Sequence, residues 1–459
     1  MQDKSLQNMS DNHTETLHKN QFPPDFKWGV SVAAYQIEGG HDCDGKGQSI
    51  WDVFTNQKGK VFANHHGNVT CDFYNQYQKD IQLLKQLNIP NFRFSISWSR
   101  VLPDGTGKVN EAGINYYNQV IDYCLEQGIE PWLTLYHWDL PHELEKKGGW
   151  TNREIVKWFS EFVELCANRF GNRVKYWMVM NEPVVFTGAG YFLGIHAPGK
   201  RGMNNFLPAI HHTTLAIAEG GRVLKRLLPA EAEVGTTFSC SYIQPYRSIL
   251  RDEMAAERVD ALLNRLFIEP LMGLGYPDKE LPILKNIQKY VLKGDDEKMV
   301  FDFDFIGIQN YTREIVKNSW LTPYIKASLV TAKKRNVPTT LMRWEIYPEA
   351  IYQMIKKFSA YPQIKKLLIT ENGAAFADEQ KDGKVDDKER VQYFIDHIAQ
   401  VLKAKQDGFK IDGYFVWTLT DNFEWAEGYH PRFGLIHIDF ETQVRTIKNS
   451  GLWFANFLK

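Results

Sequence analysis

Cysteine is scarce in this 459-residue chain. Cys43, Cys71, Cys124, Cys166 and Cys240 are scattered, odd in number, and form no C-x-x-C pair. That argues against a disulfide framework or a thiolate zinc site, and fits a reducing compartment. Cys124 and Cys166 fall on helical apolar stripes, where a thiol packs as a small hydrophobe. No apolar run is long enough to cross a bilayer. An excess of charge of one sign is missing too. The 54 basic residues stand against 55 acidic ones, which gives no electrostatic reason to expect nucleic acid or a membrane surface as partner. There is no G-x-G-x-x-G and no Walker motif, so no nucleotide is expected. His65-His66 and His211-His212 lack the spacing of a metal site and read as loop or helix surface. Asp302-x-Asp304 runs into apolar residues that end its likeness to a calcium loop. No metal and no cofactor are expected. No Gly/Ser/Pro linker divides the chain, so residues 21–459 are read as one domain. Residues 1–20 are polar, without the apolar core of a secretory signal, and are read as a disordered tail. With the free cysteines, this makes cytoplasmic location the expectation.

Aromatics are plentiful, with 13 Trp, 21 Tyr and 28 Phe. Their placement follows an alternation of short apolar runs and helical stripes. Strands are predicted at 27–36, 91–98, 130–138, 174–182, 234–242, 303–311, 366–371 and 411–419. Helical periodicity lies between them, for example at 115–127, 211–228, 349–358 and 388–407. Thr151-x-x-Glu154 has the spacing of a capping box, opening a helix with Ile155, Phe159, Phe162, Cys166 and Phe170 on one face. Eight strands alternating with helices predict a single-domain (β/α)₈ TIM barrel. A minimal barrel needs roughly 250 residues. The surplus is placed in long loops at 37–70, 183–210, 243–300 and 312–345.

The strand tips carry the chemistry. Leu367-Leu368-Ile369-Thr370-Glu371-Asn372-Gly373 is a buried-type strand ending in a carboxylate, then a turn. Val174 to Pro183 has the same design and ends at Asn181-Glu182. Gln36, His137-Trp138, Asn310-Tyr311 and Trp417 mark further tips. In a barrel of this kind the C-terminal strand ends build the active site. Many buried polar groups at one rim would each cost about 1–3 kcal/mol unless they met partners or a ligand. Arg93, on a predicted strand, needs a partner as well.

At this point the sequence resembles glycoside hydrolase family 1, of the β-glucosidase type, over nearly its whole length after the tail. Four motifs carry the resemblance: Thr-Leu-Tyr-His-Trp-Asp-Leu-Pro (134–141), Met-Asn-Glu-Pro (180–183), Ile-Thr-Glu-Asn-Gly (369–373) and Trp-Thr-Leu-Thr-Asp-Asn-Phe-Glu-Trp (417–425). The resemblance implies a retaining exo-β-glycosidase acting on terminal β-D-glucosyl, and also β-galactosyl or β-fucosyl, residues. Glu371 matches the nucleophile and Glu182 the acid/base. Arg93, Tyr311 and Asn310 are expected to support the nucleophile. Gln36, His137, Trp138, Asn181, Glu424 and Trp425 match the groups that bind the sugar, with Trp417 under the ring. Trp344 matches an aromatic wall on the leaving-group side, although Arg343 stands where family members often have Gly. Glu424, where phospho-glycosidases of the family have Ser, implies an unphosphorylated sugar. A small-molecule β-glucoside or oligosaccharide is the expected partner. Two other readings stay open: a transglycosidase with the same catalytic pair, and a non-catalytic sugar-binding barrel.

Overall fold

The computed structural model describes residues 17–459, so most of the expected tail lies outside the described residues. Leu17–Asn20, also assigned to the tail, are described. Lys19–Gln21 form a short turn, and Lys19 Nζ donates to the Leu458 carbonyl at 2.6 Å. The tail assignment therefore ran too far in. The carbonyl at the far end of the chain holds these residues in place.

Eight parallel strands close a barrel: β1 (Lys27–Ser31), β2 (Asn91–Ser95), β3 (Glu130–Tyr136), β4 (Tyr176–Asn181), β5 (Glu233–Ser239), β6 (Phe305–Gln309), β7 (Leu367–Asn372) and β8 (Ile411–Trp417). β1 pairs with both β2 and β8, which completes the ring. β4 and β7 are nearly continuous apolar runs up to their tips because both of their faces are covered. Helices wrap the outside, among them α1 (Phe73–Gln86), α2 (Glu111–Glu126), α3 (Ile155–Phe170), α4 (Met203–Leu227), α5 (Leu250–Asp260), α6 (Glu349–Ser359), α7 (Lys388–Gln406) and α8 (Asn449–Phe457). Ile155, Phe159, Phe162, Cys166 and Phe170 are all buried, as the stripe on α3 predicts. On α8, Phe457 packs its ring edge-on to Trp28 at the start of β1, with 4.8 Å between centroids.

The lower barrel is filled by Trp132, Tyr176, Met178, Phe305, Leu368 and Phe415. The Trp132 and Tyr176 rings stack at 3.8 Å. This apolar plug closes the floor, so the polar groups above it face the C-terminal end.

Several expectations need correction. Strand pairing stops before Gln36, Trp98 and Trp138. After β1 the chain turns into a one-turn helix, Ala34–Ile37, whose Ala34 amide donates to Ser95 Oγ at 2.7 Å. Gln36 therefore rides on a helical turn rather than on a strand. The capping box is absent. Gly148 and Gly149, both at positive φ, coil the chain so that Thr151 donates to the Gly148 carbonyl. Glu154 then precedes α3 with no capping bond from its side chain. His211 and His212 are buried within α4 instead of lying on its surface. His211 Nε2 lies 2.9 Å from Asp295, and His212 Nδ1 lies 3.1 Å from the Trp150 carbonyl. The expected fifth strand is two strands. Tyr242–Pro245 leaves the barrel and joins Arg313–Asn318 and Ala327–Leu329 in an outer three-stranded sheet. The loops 243–300 and 312–345 are thus partly a built layer. No helix among the described residues is long and apolar enough to cross a membrane.

Candidate active site

Glu371 is the penultimate residue of β7 and is 3% exposed. Its neighbour Asn372 fixes the tip. Asn372 Nδ2 donates to the Asn310 carbonyl (2.7 Å) and to Tyr393 (3.0 Å), and Tyr414 donates to Asn372 Oδ1 (2.6 Å). Gly373 follows where the chain passes under β8. A Cβ there would lie 1.9 Å from the Trp417 carbonyl oxygen, so only glycine fits. The two Glu371 oxygens have different partners. Arg93 Nη1 donates to Oε1 at 2.5 Å, and the Tyr311 hydroxyl donates to Oε2 at 2.8 Å.

Glu182 lies just beyond β4, with its amide bonded to the Thr237 carbonyl at 3.0 Å. Its φ of 43° is in the left-handed region, which costs a non-glycine residue roughly 1–2 kcal/mol. Trp138, Arg343 and Trp425 share this conformation. Strain of this kind gathers at functional sites, where the surroundings hold it. Pro183 at once starts a helical turn, Pro183–Phe186, which stops the strand at Glu182.

Both glutamates open onto one cavity of about 440 Å³ at the C-terminal rim. That volume suits a small ligand. Burial pushes both carboxyls above their ordinary value. For Glu182 the charge of Glu371 adds to the rise, against smaller pulls from the Ser239 hydroxyl and Arg93, and the result is well above the carboxylate range. For Glu371 the charge and hydrogen bond of Arg93, with the Tyr311 bond, work directly against burial. Arg93 thus favours the charged form of Glu371, and no salt bridge among the described residues does the same for Glu182. Burial, then the charge of Glu371, pushes Glu424 up to about 8. Burial and the Arg93 charge hold His137 well below its usual value, so its ring stays neutral.

The other predicted residues divide into those on the cavity wall and those behind it. His137, Trp138, Tyr311, Trp344, Trp417, Glu424 and Trp425 line the cavity with the two glutamates. Trp138 Nε1 donates to the Asn181 carbonyl at 2.9 Å, which ties the wall to the tip of β4. Gln36, Arg93 and Asn181 are fully buried behind the wall. Gln36 Nε2 donates to the Phe423 carbonyl (2.9 Å) and to Glu424 (3.4 Å). Asn181 Oδ1 accepts from Arg93 Nη2 (2.5 Å), Gln309 Nε2 (2.8 Å) and Thr237 Oγ1 (3.0 Å). These three donors fix the amide orientation, so Asn181 Nδ2 donates to His137 Nε2 at 3.0 Å. His137 Nδ1 and Gln36 Oε1 have no partner among the described residues. Asn310 does not reach Glu371. Its amide donates to the Cys240 and Thr312 carbonyls, each at 3.0 Å, and so shapes the turn that carries Tyr311. Direct support of the carboxylate by Asn310 is thus corrected to support of its neighbour.

The family model described as glycosyl hydrolase family 1 matches residues 18–459. The chain belongs to glycosyl hydrolase family 1. Among the family 1 relatives it resembles is Beta-glucosidase A of Thermotoga maritima, at 41% identity over 445 residues, which cover 96% of this chain and 99% of that protein. A 1,4-beta-D-glucan glucohydrolase of Thermotoga neapolitana is 41% identical over 441 residues, covering 96% and 98%. The solved family 1 β-glucosidase of Thermotoga maritima superposes with a TM-score of 0.91 over 95% of this chain and 98% of that one. Its complex with deoxynojirimycin gives 0.92 at the same identity and coverage.

Thr237, Ser239 and Gln309 went unread in this family 1 sequence, although they complete the polar layer. The signal was there: Thr237 and Ser239 alternate on β5, and Gln309 ends β6. A polar residue every second position on a barrel strand points to a polar interior layer.

Proposed function

We propose that this protein is a retaining exo-β-glycosidase that releases terminal β-D-glucosyl residues, with Glu371 as nucleophile and Glu182 as general acid and then base. One observation carries this assignment: Arg93 and Tyr311 hold opposite oxygens of Glu371, while Glu182, on the same cavity, has no paired cation among the described residues. Glu371 attacks the anomeric carbon as Glu182 gives its proton to the departing oxygen. The departing alcohol leaves neutral, and the sugar is held as an ester of Glu371. Glu182, now ionised, takes a proton from water. The oxygen of that water attacks the same carbon and returns Glu371 as carboxylate. Direct attack requires carboxyl groups about 5–5.5 Å apart.

His137 Nδ1 and Gln36 Oε1, a donor and an acceptor left without partners, support hydroxyl recognition, with Trp417 as the stacking face. Burial pushes Glu424 up to about 8, so near neutral pH it can donate as well as accept. Rejection of a phosphorylated sugar is then assigned to the lack of any lysine or arginine among the described residues of the cavity lining, with Arg93 behind it already engaged by Glu371. The curated relatives named as β-glucosidases support glucose over other epimers. No observation favours the non-catalytic barrel. Closure of the barrel by β1 and β8 supports treating 21–459 as one domain. Five free cysteines support a cytoplasmic location, which cell fractionation against a periplasmic marker checks.

Glu371→Ala tests the catalytic assignment. It should abolish hydrolysis of p-nitrophenyl β-glucoside, and azide should restore turnover with the inverted glucosyl azide as product. Retained activity, or a rescued product of retained configuration, would sink it.

A further inference from the structure

A second cavity, of about 370 Å³, adjoins the first. Val185, Ser239, Cys240 and Ser241 line both, so these small side chains form the wall between them. That wall lies on the Glu182 side: Val185 follows on the same helical turn, and the Ser239 hydroxyl pulls on the Glu182 carboxyl. The second cavity has a different character from the first. None of its lining side chains is charged, and its body is built from residues such as Phe192, Phe206, Leu207, Leu262 and Leu284. Cys240 adds to this apolar character, since burial pushes its thiol up and keeps it uncharged. A second sugar ring would find few hydrogen-bond partners here, whereas a hydrocarbon chain would lose only water. Gly188, in the turn Thr187–Leu193, faces open space, and a Cβ built on it meets no atom within 4 Å.

We propose that this side cavity receives the apolar end of the leaving group, which makes β-glucosides of long-chain alkyl or similarly apolar alcohols preferred substrates. The proposal rests on the glycosidase reading of the main cavity, with Glu182 as the acid beside the departing oxygen. The chain beyond that oxygen crosses the low wall at Ser239 and Val185 and fills the second cavity.

Alkyl β-glucosides below their micellar concentrations test this. From butyl to octyl the leaving alcohol hardly changes in acidity, so a rise in kcat/KM reports burial of the chain. Complete burial would give about fourfold per methylene, from about 0.8 kcal/mol each. We expect at least about a tenfold rise from butyl to octyl, allowing for partial burial. In Gly188→Leu, which fills the space, the octyl-to-butyl ratio should fall to near one. A ratio near one in the wild-type enzyme overturns the inference, whether or not the variant folds. So does a ratio that Gly188→Leu leaves unchanged. If wild-type enzyme cleaves neither butyl nor p-nitrophenyl β-glucoside, the glycosidase reading itself falls and takes this inference with it.

Discussion

Arg93 Nη2 donates to Asn181 Oδ1 at 2.5 Å, and Asn181 immediately precedes Glu182. The other end of the same guanidinium holds Glu371. One fully buried cation thus neutralises one glutamate and braces the strand tip that presents the other. A bidentate, planar group is needed for this, and lysine could not reproduce it.

Replacing Arg93 should therefore damage stability and chemistry together. Removing one partner of a buried ion pair costs about 3–5 kcal/mol. Arg93→Gln should lower the urea midpoint accordingly and cut kcat on p-nitrophenyl β-glucoside by orders of magnitude. A variant that keeps wild-type stability would refute the shared brace.

Activity against pH should be bell-shaped. The acid limb belongs to Glu371, which must be ionised, and burial sets it above the ordinary carboxylate range. The alkaline limb belongs to Glu182, which must hold a proton, and burial and the Glu371 charge set it higher still. Tyr311→Phe removes a bond to the ionised form of Glu371. It should move the acid limb of kcat/KM upward and leave the alkaline limb nearly in place. Movement of the alkaline limb alone would reverse the two assignments.

Glu424→Ser should weaken recognition more than chemistry. A hydrogen bond between uncharged groups contributes about 0.5–1.5 kcal/mol. Loss of one predicts a fall in kcat/KM of roughly 2- to 13-fold. Azide rescue should not follow, because Glu424 is not the attacking group. Steady-state kinetics with and without azide check both points.

Gly373→Ala forces a methyl group against the Trp417 carbonyl. Overpacking of this kind costs typically 1–3 kcal/mol. The displaced atoms lie two residues from Glu371, so activity should fall further than stability alone explains. Thermal denaturation beside kcat measures the two separately.

The strand cores and the two glutamates were legible because apolar runs ending in a carboxylate have few other uses. The limits of the strands were less so. Gln36 and Trp138 are buried and polar or aromatic like true strand residues, but backbone pairing ends before them, and only the neighbouring chain decides that. The Thr151–Glu154 spacing was misleading because Gly148 and Gly149 had already turned the backbone another way. His211 and His212 read as surface because polar residues usually mark it; their partners, Asp295 and the Trp150 carbonyl, are distant in sequence. Asn310 was adjacent to the right residue, and its role depended on where the Cys240 carbonyl fell. The apolar side cavity had no local signature, since it draws single residues from many separate segments.

The bond from Lys19 to the Leu458 carbonyl, with Phe457 resting on Trp28, brings both ends of the described chain to the floor of the barrel, opposite the catalytic rim. A bead, scaffold protein or second enzyme joined at Lys459 would hang beneath the barrel. The mouth would stay open, so immobilisation should leave substrate entry unhindered.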